Sequence, residues 1–205
     1  MSAAAPSHPG RQRGFTLIEV MIAVVVLSIG LLGVAALQLT AKKSSHQAWQ
    51  RAQAVLLADS LLERVRINPS AAAAYHTGTG NSALGGGTLG TPARDCSTQT
   101  CTAAQMATWD LWSWERRLDG TAVRDAANRN VSGLVDPHGC VVFTRASASF
   151  PNTGQLRVIV NWRGTTDTSD AVATGTACGP DAAGSVDSRH QVIVNTYVID
   201  ERGLG

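Results

Sequence analysis

Aromatic residues make up only 5% of the 205-residue sequence and charged residues only 16%, and no run of five or more Lys or Arg occurs. With a formal net charge of +2, the chain lacks the concentrated positive field that sequence-independent nucleic-acid binding requires, so no nucleic-acid partner is expected. The length excludes a large multidomain enzyme and fits one ordinary domain with an appendage. There is no H-E-x-x-H, no G-x-S-x-G and no P-loop, and His8, His46, His76, His138 and His190 are scattered, so neither an enzyme nor a metal or cofactor site is expected. The short paired spacings of a thiolate zinc site are absent too, because four residues separate Cys96 from Cys101 and thirty-seven separate Cys140 from Cys178.

Those four cysteines are an even number and all lie beyond an apolar N-terminal segment, which points to an oxidising compartment and two disulfides. Three pairings are possible. Closeness along the chain favours Cys96 with Cys101 and leaves Cys140 with Cys178, a loop of about 38 residues whose closure stabilises by roughly 3 to 4 kcal/mol on the loop-entropy model.

Mean hydropathy is close to zero, but it averages two unlike parts. Residues 1–14 (MSAAAPSHPGRQRG) form a polar leader with Arg11 and Arg13 and no apolar h-region, unlike an ordinary secretory signal. Residues 20–37 then run for 18 positions without a charge, long enough for a membrane-spanning helix. Glu19 stands at the head of this run, where an ionised carboxylate at mid-membrane depth would cost about 2.5 to 3.5 kcal/mol. One account of it is the helix dipole, which favours a negative charge in the first turn by about 0.3 to 1 kcal/mol.

The string Gly14, Phe15, Thr16, Leu17, Ile18, Glu19, after a basic leader and before an apolar helix, resembles the prepilin signature of type IV pilins and pseudopilins. The resemblance implies that an inner-membrane prepilin peptidase cuts between Gly14 and Phe15 on the cytoplasmic side and methylates the Phe15 amine. It also implies that Glu19 of an incoming subunit pairs with the N-terminal amine of a neighbour, since a buried carboxylate is tolerable when its charge is matched. The protein is then a substrate and not an enzyme. Removing Arg11 and Arg13 leaves 15 basic and 15 acidic side chains in the mature part. Charges alone do not fix topology, because Lys42 and Lys43 balance the leader arginines; the cysteines and the signature point to a cytoplasmic N-terminus and a periplasmic head.

Residues 41–67 contain no Gly or Pro, and Ala48, Ala52, Val55, Ala58, Leu62 and Val65 form an apolar stripe at helical spacing, while Asp59, Glu63, Arg64 and Arg66 point elsewhere. Pro69 ends the element. Residues 15–67 would thus make one helix about 80 Å long, apolar in its first half and amphipathic in its second. Ser28, Gly30 and Gly33 allow close helix approach in the first half and soften it. Residues 77–92 form a flexible Gly-rich connector; Gly85, Gly87 and Gly90 have the G-x-G-x-x-G spacing but lack the strand and helix that phosphate binding needs. Residues 102–118 predict a short helix with a Thr102/Gln105 capping box and a stripe of Ala107, Leu111, Trp114 and Leu118. Trp109 and Trp112 on a neighbouring face are assigned to the core, with an exposed interface patch as the alternative. Residues 139–145, 155–162 and 190–199 alternate with period two and predict an antiparallel meander. Residues 151–154 form its first turn, and the long connection 164–188 is anchored by Cys178.

The expected fold is therefore α+β and pilin-like, with a long N-terminal helix whose second half packs on an antiparallel sheet. Its parts are a cleaved leader (1–14), a transmembrane or filament-core half-helix (15–40) and a periplasmic head (41–205). Residues 58–69, the pair Cys96 and Cys101 followed by Asp110, Trp114 and Leu118, and the strand from Val158 to Trp162 also resemble the PilV-type minor pilins, the type IV pilus modification proteins. That resemblance implies a low-abundance subunit that joins other minor pilins in a tip complex and primes pilus assembly. Its partners would be prepilin peptidase, other minor pilins, the major pilin, the assembly platform and the inner membrane, with the pilus as final location. A type II secretion pseudopilin is the alternative, and a membrane-anchored adhesin or DNA-uptake pilin a third.

Overall fold

A computed structural model describes residues 14–121, 126–127, 130, 133–164, 177–180 and 188–201. The leader arginines and most of the 164–188 connection lie outside these residues. The chain falls into two units, Met1–Ser44 and Ser45–Gly205.

The first helix, α1, runs unbroken over Leu17–Ile67, two residues later in its start than the sequence pattern suggests. The reason is local: the Thr16 side chain and carbonyl already accept the Glu19 amide, so Thr16 is the cap and not a helical residue. Between residues 17 and 39 every large apolar side chain is exposed. Ser28 and Thr40 turn their hydroxyls back onto the carbonyls of Val24 and Ala36, which keeps those donors satisfied without water.

In the second unit the buried face of α1 consists of Gln50, Ala54, Ala58, Leu61, Leu62 and Val65. The predicted stripe is right from Ala58 onward. Ala48 and Ala52 are exposed, and Gln50 and Ala54 take their place. Alanine has too little apolar area to fix which face turns inward, so the larger Leu61, Leu62 and Val65 set the rotation. Asn68 and Pro69 end α1 as expected, and a short 3₁₀ helix, η1 (Pro69–Tyr75), follows, with Pro69 in its first turn where no N–H is needed. Helix α2 (Ala103–Leu118) begins at the predicted capping box: Thr102 Oγ1 accepts from Gln105 N, and Gln105 Oε1 accepts from Thr102 N. Its stripe of Ala107, Leu111, Trp114 and Leu118 is buried throughout.

Three strands, β1 (His138–Ser147), β2 (Phe150–Arg163) and β3 (Arg189–Val198), form an antiparallel meander in the order β1-β2-β3. Leu156, Val158, Val160 and Trp162 face the main core with the buried face of α1, while Ile159 on the opposite face packs with Ala83 and the Cys140 and Cys178 sulfurs. The central strand is thus covered on both sides.

The first turn is not at residues 151–154. The chain reverses at residues 148–149, between paired Ser147 and Phe150, and residues 151–154 belong to β2. A register shift between Arg145 and Ser147 places Pro151 in an irregular stretch, and β3 pairs only from Gly154 onward, so the missing proline N–H interrupts no ladder. Asn152, in the same stretch, donates to Ser70 O and accepts from Ala73 N, tying the bulge to η1. Gly154 is needed because a Cβ there would overlap the Thr144 carbonyl.

A Cβ on Gly139 would overlap the buried Trp114 ring. The Trp114 Nε1–H donates to Leu57 O at 2.8 Å, so the ring cannot rotate away without losing that bond. Gly139→Ala is therefore expected to destabilise the fold by about 1–3 kcal/mol through overpacking, read as a lowered midpoint in thermal unfolding of the full-length protein in detergent.

Candidate functional site

The string from Gly14 to Glu19 sits where the chain enters α1. Gly14, Phe15 and Thr16 are non-helical and exposed, with Phe15 83% accessible, and α1 starts immediately after them. Glu19 is the acidic residue of the first turn, and its own amide donates to Thr16 Oγ1 at 3.3 Å. Thr16 and Glu19 therefore stand in the Ser/Thr-x-x-Glu spacing of a capping box, a signal that the sequence string itself carries. The Glu19 side chain is exposed, and among the described residues no basic group pairs with it. α1 contains a window of 18 residues with mean hydropathy 2.8 and none of it buried, which is long and apolar enough to cross a membrane.

The residues singled out after this helix come together in the head. Asp110 on α2 is 5% exposed and its carboxylate is fully engaged. Oδ1 accepts from Arg64 Nη1 at 2.6 Å and Oδ2 accepts from the Tyr75 hydroxyl at 2.6 Å. Arg64 also donates to Ser113 Oγ at 2.9 Å. Asn68 Nδ2 bridges the Tyr75 hydroxyl and the Ala103 carbonyl at 3.2 and 2.8 Å. This network joins the end of α1, η1 and both ends of the first half of α2. Burial, and next the hydrogen bond to Asp110, push the Tyr75 hydroxyl pKa far above its ordinary value. Of the charged residues read as facing away from the stripe, Asp59, Glu63 and Arg66 are exposed, whereas Arg64 is half-buried in this network.

The Gly-rich segment is anchored rather than loose. Glu115 Oε1 accepts from the amides of Gly85 and Thr88 and from the Thr88 hydroxyl, and Oε2 from the Leu89 amide. One turn later, Asp119 accepts from the Gly86 and Gly87 amides at 2.7 and 3.0 Å. Gly85, Gly86 and Gly87 all have positive φ, the conformation that lets successive amides converge on an anion. The loop does cradle oxyanions, but they are the protein's own carboxylates. Burial raises the Asp119 pKa, with the loop amides working against it. A cleft of about 590 Å³ opens between this loop and residues 133–138. Its other carboxylate, Asp136, is held by Arg189 at 2.5 Å and Arg163 at 3.2 Å. Among the described residues no group of three or more His, Cys, Asp or Glu could hold a metal ion.

Disulfides join Cys96 to Cys101 and Cys140 to Cys178. The second pins residues 177–180 to the sheet, where Asn161 Nδ2 donates to the Cys178 carbonyl and Gly80 forms a parallel bridge with Cys178. The core assignment of Trp109 and Trp112 is corrected: both are half-buried, and neither belongs to the core cluster that holds Trp114. They lie on the outer face of α2, tilted against each other with centroids 4.9 Å apart, and the Arg116 guanidinium lies 5.2 Å over the Trp112 ring. Three tryptophans within six residues cannot share one helical face, and Trp114 alone falls on the Ala107–Leu111–Leu118 stripe.

Comparison with known families gives two matches. The family model described as Prokaryotic N-terminal methylation motif matches residues 9–35, and the model described as Tt1218-like, Type IV pilin Tt1218, matches residues 36–112. No curated protein and no solved structure matches.

The Asp110 network makes two predictions. Asp110→Ala leaves Arg64 and the Tyr75 hydroxyl without their acceptor and is expected to cost about 3–5 kcal/mol in chemical denaturation. Because the Tyr75 pKa is raised in the folded protein, its stabilising contribution is complete below the ordinary value of 10.0 and is lost as pH rises above it. Tyr75→Phe should abolish that part of the alkaline loss of stability.

Proposed function

Because residues 9–35 match an N-terminal methylation motif and residues 36–112 match a type IV pilin model, we propose that the chain is a type IV pilin and acts as a PilV-type minor pilin that joins a tip complex and primes pilus assembly. The pilin family is structural and non-enzymatic, in agreement with the lack of catalytic motifs. The motif implies processing by prepilin peptidase. In this reading the cut falls between Gly14 and Phe15, Phe15 becomes the methylated terminus, and residues 1–14 are discarded. Residues 15–40 cross the inner membrane with the N-terminus cytoplasmic, and residues 41–205 form the periplasmic head.

The observation that carries the reading is the N-terminal arrangement: an exposed, non-helical Gly14–Phe15 bond, a helix that starts at Leu17 and a Glu19 in its first turn with no basic partner among the described residues, all ahead of large apolar side chains that are exposed from residue 17 to 39. A carboxylate at the edge of an apolar segment is costly until a cation meets it. Cleavage creates such a cation, the Phe15 amine, on every subunit, so the cost of Glu19 in the membrane becomes a force for docking against a neighbour. The minor-pilin assignment is supported by the sequence resemblance of residues 58–69 and of Asp110, Trp114 and Leu118, whose side chains build the Asp110 and Trp114 contacts of the head.

Deleting the gene in its native host is expected to reduce sheared surface pili sharply and leave exported enzymes at normal levels; intact pili with failed secretion would reassign the chain to a type II secretion pseudopilin. Glu19→Ala is expected to leave the leader cut intact while lowering incorporation into sheared pili at least tenfold. Wild-type incorporation of that variant would leave Glu19 with only its helix-dipole role.

A further inference from the structure

Where α1 starts decides whether the Gly14–Phe15 bond is available to a peptidase. Gly14, Phe15 and Thr16 are non-helical and exposed, and the helix opens at Leu17. Thr16 makes that boundary. Its carbonyl accepts the first intrahelical bond, from Val20 N at 3.3 Å, and also accepts from Glu19 N at 3.1 Å. Its Oγ1 accepts the same Glu19 amide at 3.3 Å, so the side chain takes up a donor that no preceding helical turn can satisfy. The bond uses the Glu19 backbone and leaves the carboxylate to its assembly role.

No side chain just ahead of Thr16 can replace it. Residues 8–15 (HPGRQRGF) contain no Ser, Thr, Asp or Asn. Without an acceptor at position 16 the next favourable start is Gly14, since glycine caps a helix about as well as threonine and far better than an apolar residue. Phe15 would then be the first helical residue, with the scissile bond at the helix boundary. A start at Gly10 would be followed by Arg11, Gln12 and Arg13, all good helix formers, and would wind the bond into a turn. Hydrolysis adds water across the Gly14–Phe15 amide and leaves a Gly14 carboxylate and a Phe15 amine. A bond wound into a helix is cut only through the population in which it is open.

We propose that Thr16 is a positioning residue for leader removal: by capping α1 it holds the Gly14–Phe15 bond outside the helix, in the form that prepilin peptidase takes. The proposal rests on the processing reading above. Because only the unwound population binds, loss of the cap weakens apparent binding in proportion to that population and leaves the chemical step unchanged.

The test compares wild type, Thr16→Val and Thr16→Asn as full-length protein in detergent with purified prepilin peptidase, reading kcat and KM from the release of residues 1–14. Valine keeps the shape of threonine and lacks the acceptor; asparagine keeps an acceptor and changes the shape. Thr16→Val is expected to raise KM about fivefold with kcat unchanged, and Thr16→Asn to be cut like wild type. In isotope-labelled protein the Phe15 Cα shift should move towards its helical value in Thr16→Val alone. Thr16→Val at wild-type KM, Thr16→Asn cut as poorly as Thr16→Val, or a loss confined to kcat would overturn the proposal, the second being the mark of a peptidase that reads residue 16 by shape. A slow Thr16→Val variant with an unmoved Phe15 shift would overturn it too. Each of those results leaves the processing reading standing, whereas wild-type protein that is not cut between Gly14 and Phe15 defeats that reading and the proposal with it.

Discussion

The head is organised around one carboxylate. Asp110 is buried at the junction of three helical segments and holds Arg64 from α1 and Tyr75 from η1, each at 2.6 Å. A charge in that position is tolerable only when its lone pairs are matched, so the three segments are fixed relative to one another by the need to satisfy it. Everything packed on them inherits that placement. One turn along α2, Trp114 reaches back to Leu57 O, and its ring occupies the space left by the missing side chain of Gly139. Beside it Glu115, and one turn later Asp119 at the end of the helix, gather the Gly85–Leu89 amides. Helix α2 thus works as a spine with three kinds of contact: an ion pair with α1, a ring against β1 and carboxylates for the loop.

The sheet shows the same division between closed and open surfaces. The Cys140–Cys178 disulfide and Gly80 hold residues 177–180 over one face, the segment 76–84 closes the β1 edge, and α1 covers the other face. Among the described residues nothing pairs with the β3 edge, and Trp109 and Trp112 lie half-buried outside the core.

Much of this was legible in the residues themselves. The 3.6-residue stripe of α2 and its capping box needed only local spacing, and so did the end of α1 at Pro69 and the alternation of Leu156, Val158, Val160 and Trp162. Where spacing is ambiguous, it does not decide the structure. Ala48 and Ala52 carry too little apolar area to set a helix face, and Pro151 suggested a turn because a bulge that excuses a strand proline leaves no mark in the sequence.

By itself, the sequence determined the elements governed by neighbours a few residues apart: the apolar run, the prepilin string with its lone Glu19, the caps and the strand periods. Tertiary structure alone decided the long-range pairings. It set which of three adjacent tryptophans is buried, since only one can face the sheet. It turned the G-x-G-x-x-G spacing from a loose connector into a cradle for Glu115 and Asp119, 26 to 33 residues away. And it covered the β1 edge of the sheet with residues 76–84, because a backbone group's partner is chosen by the strand or loop beside it in space, and no local pattern of side chains encodes that neighbour.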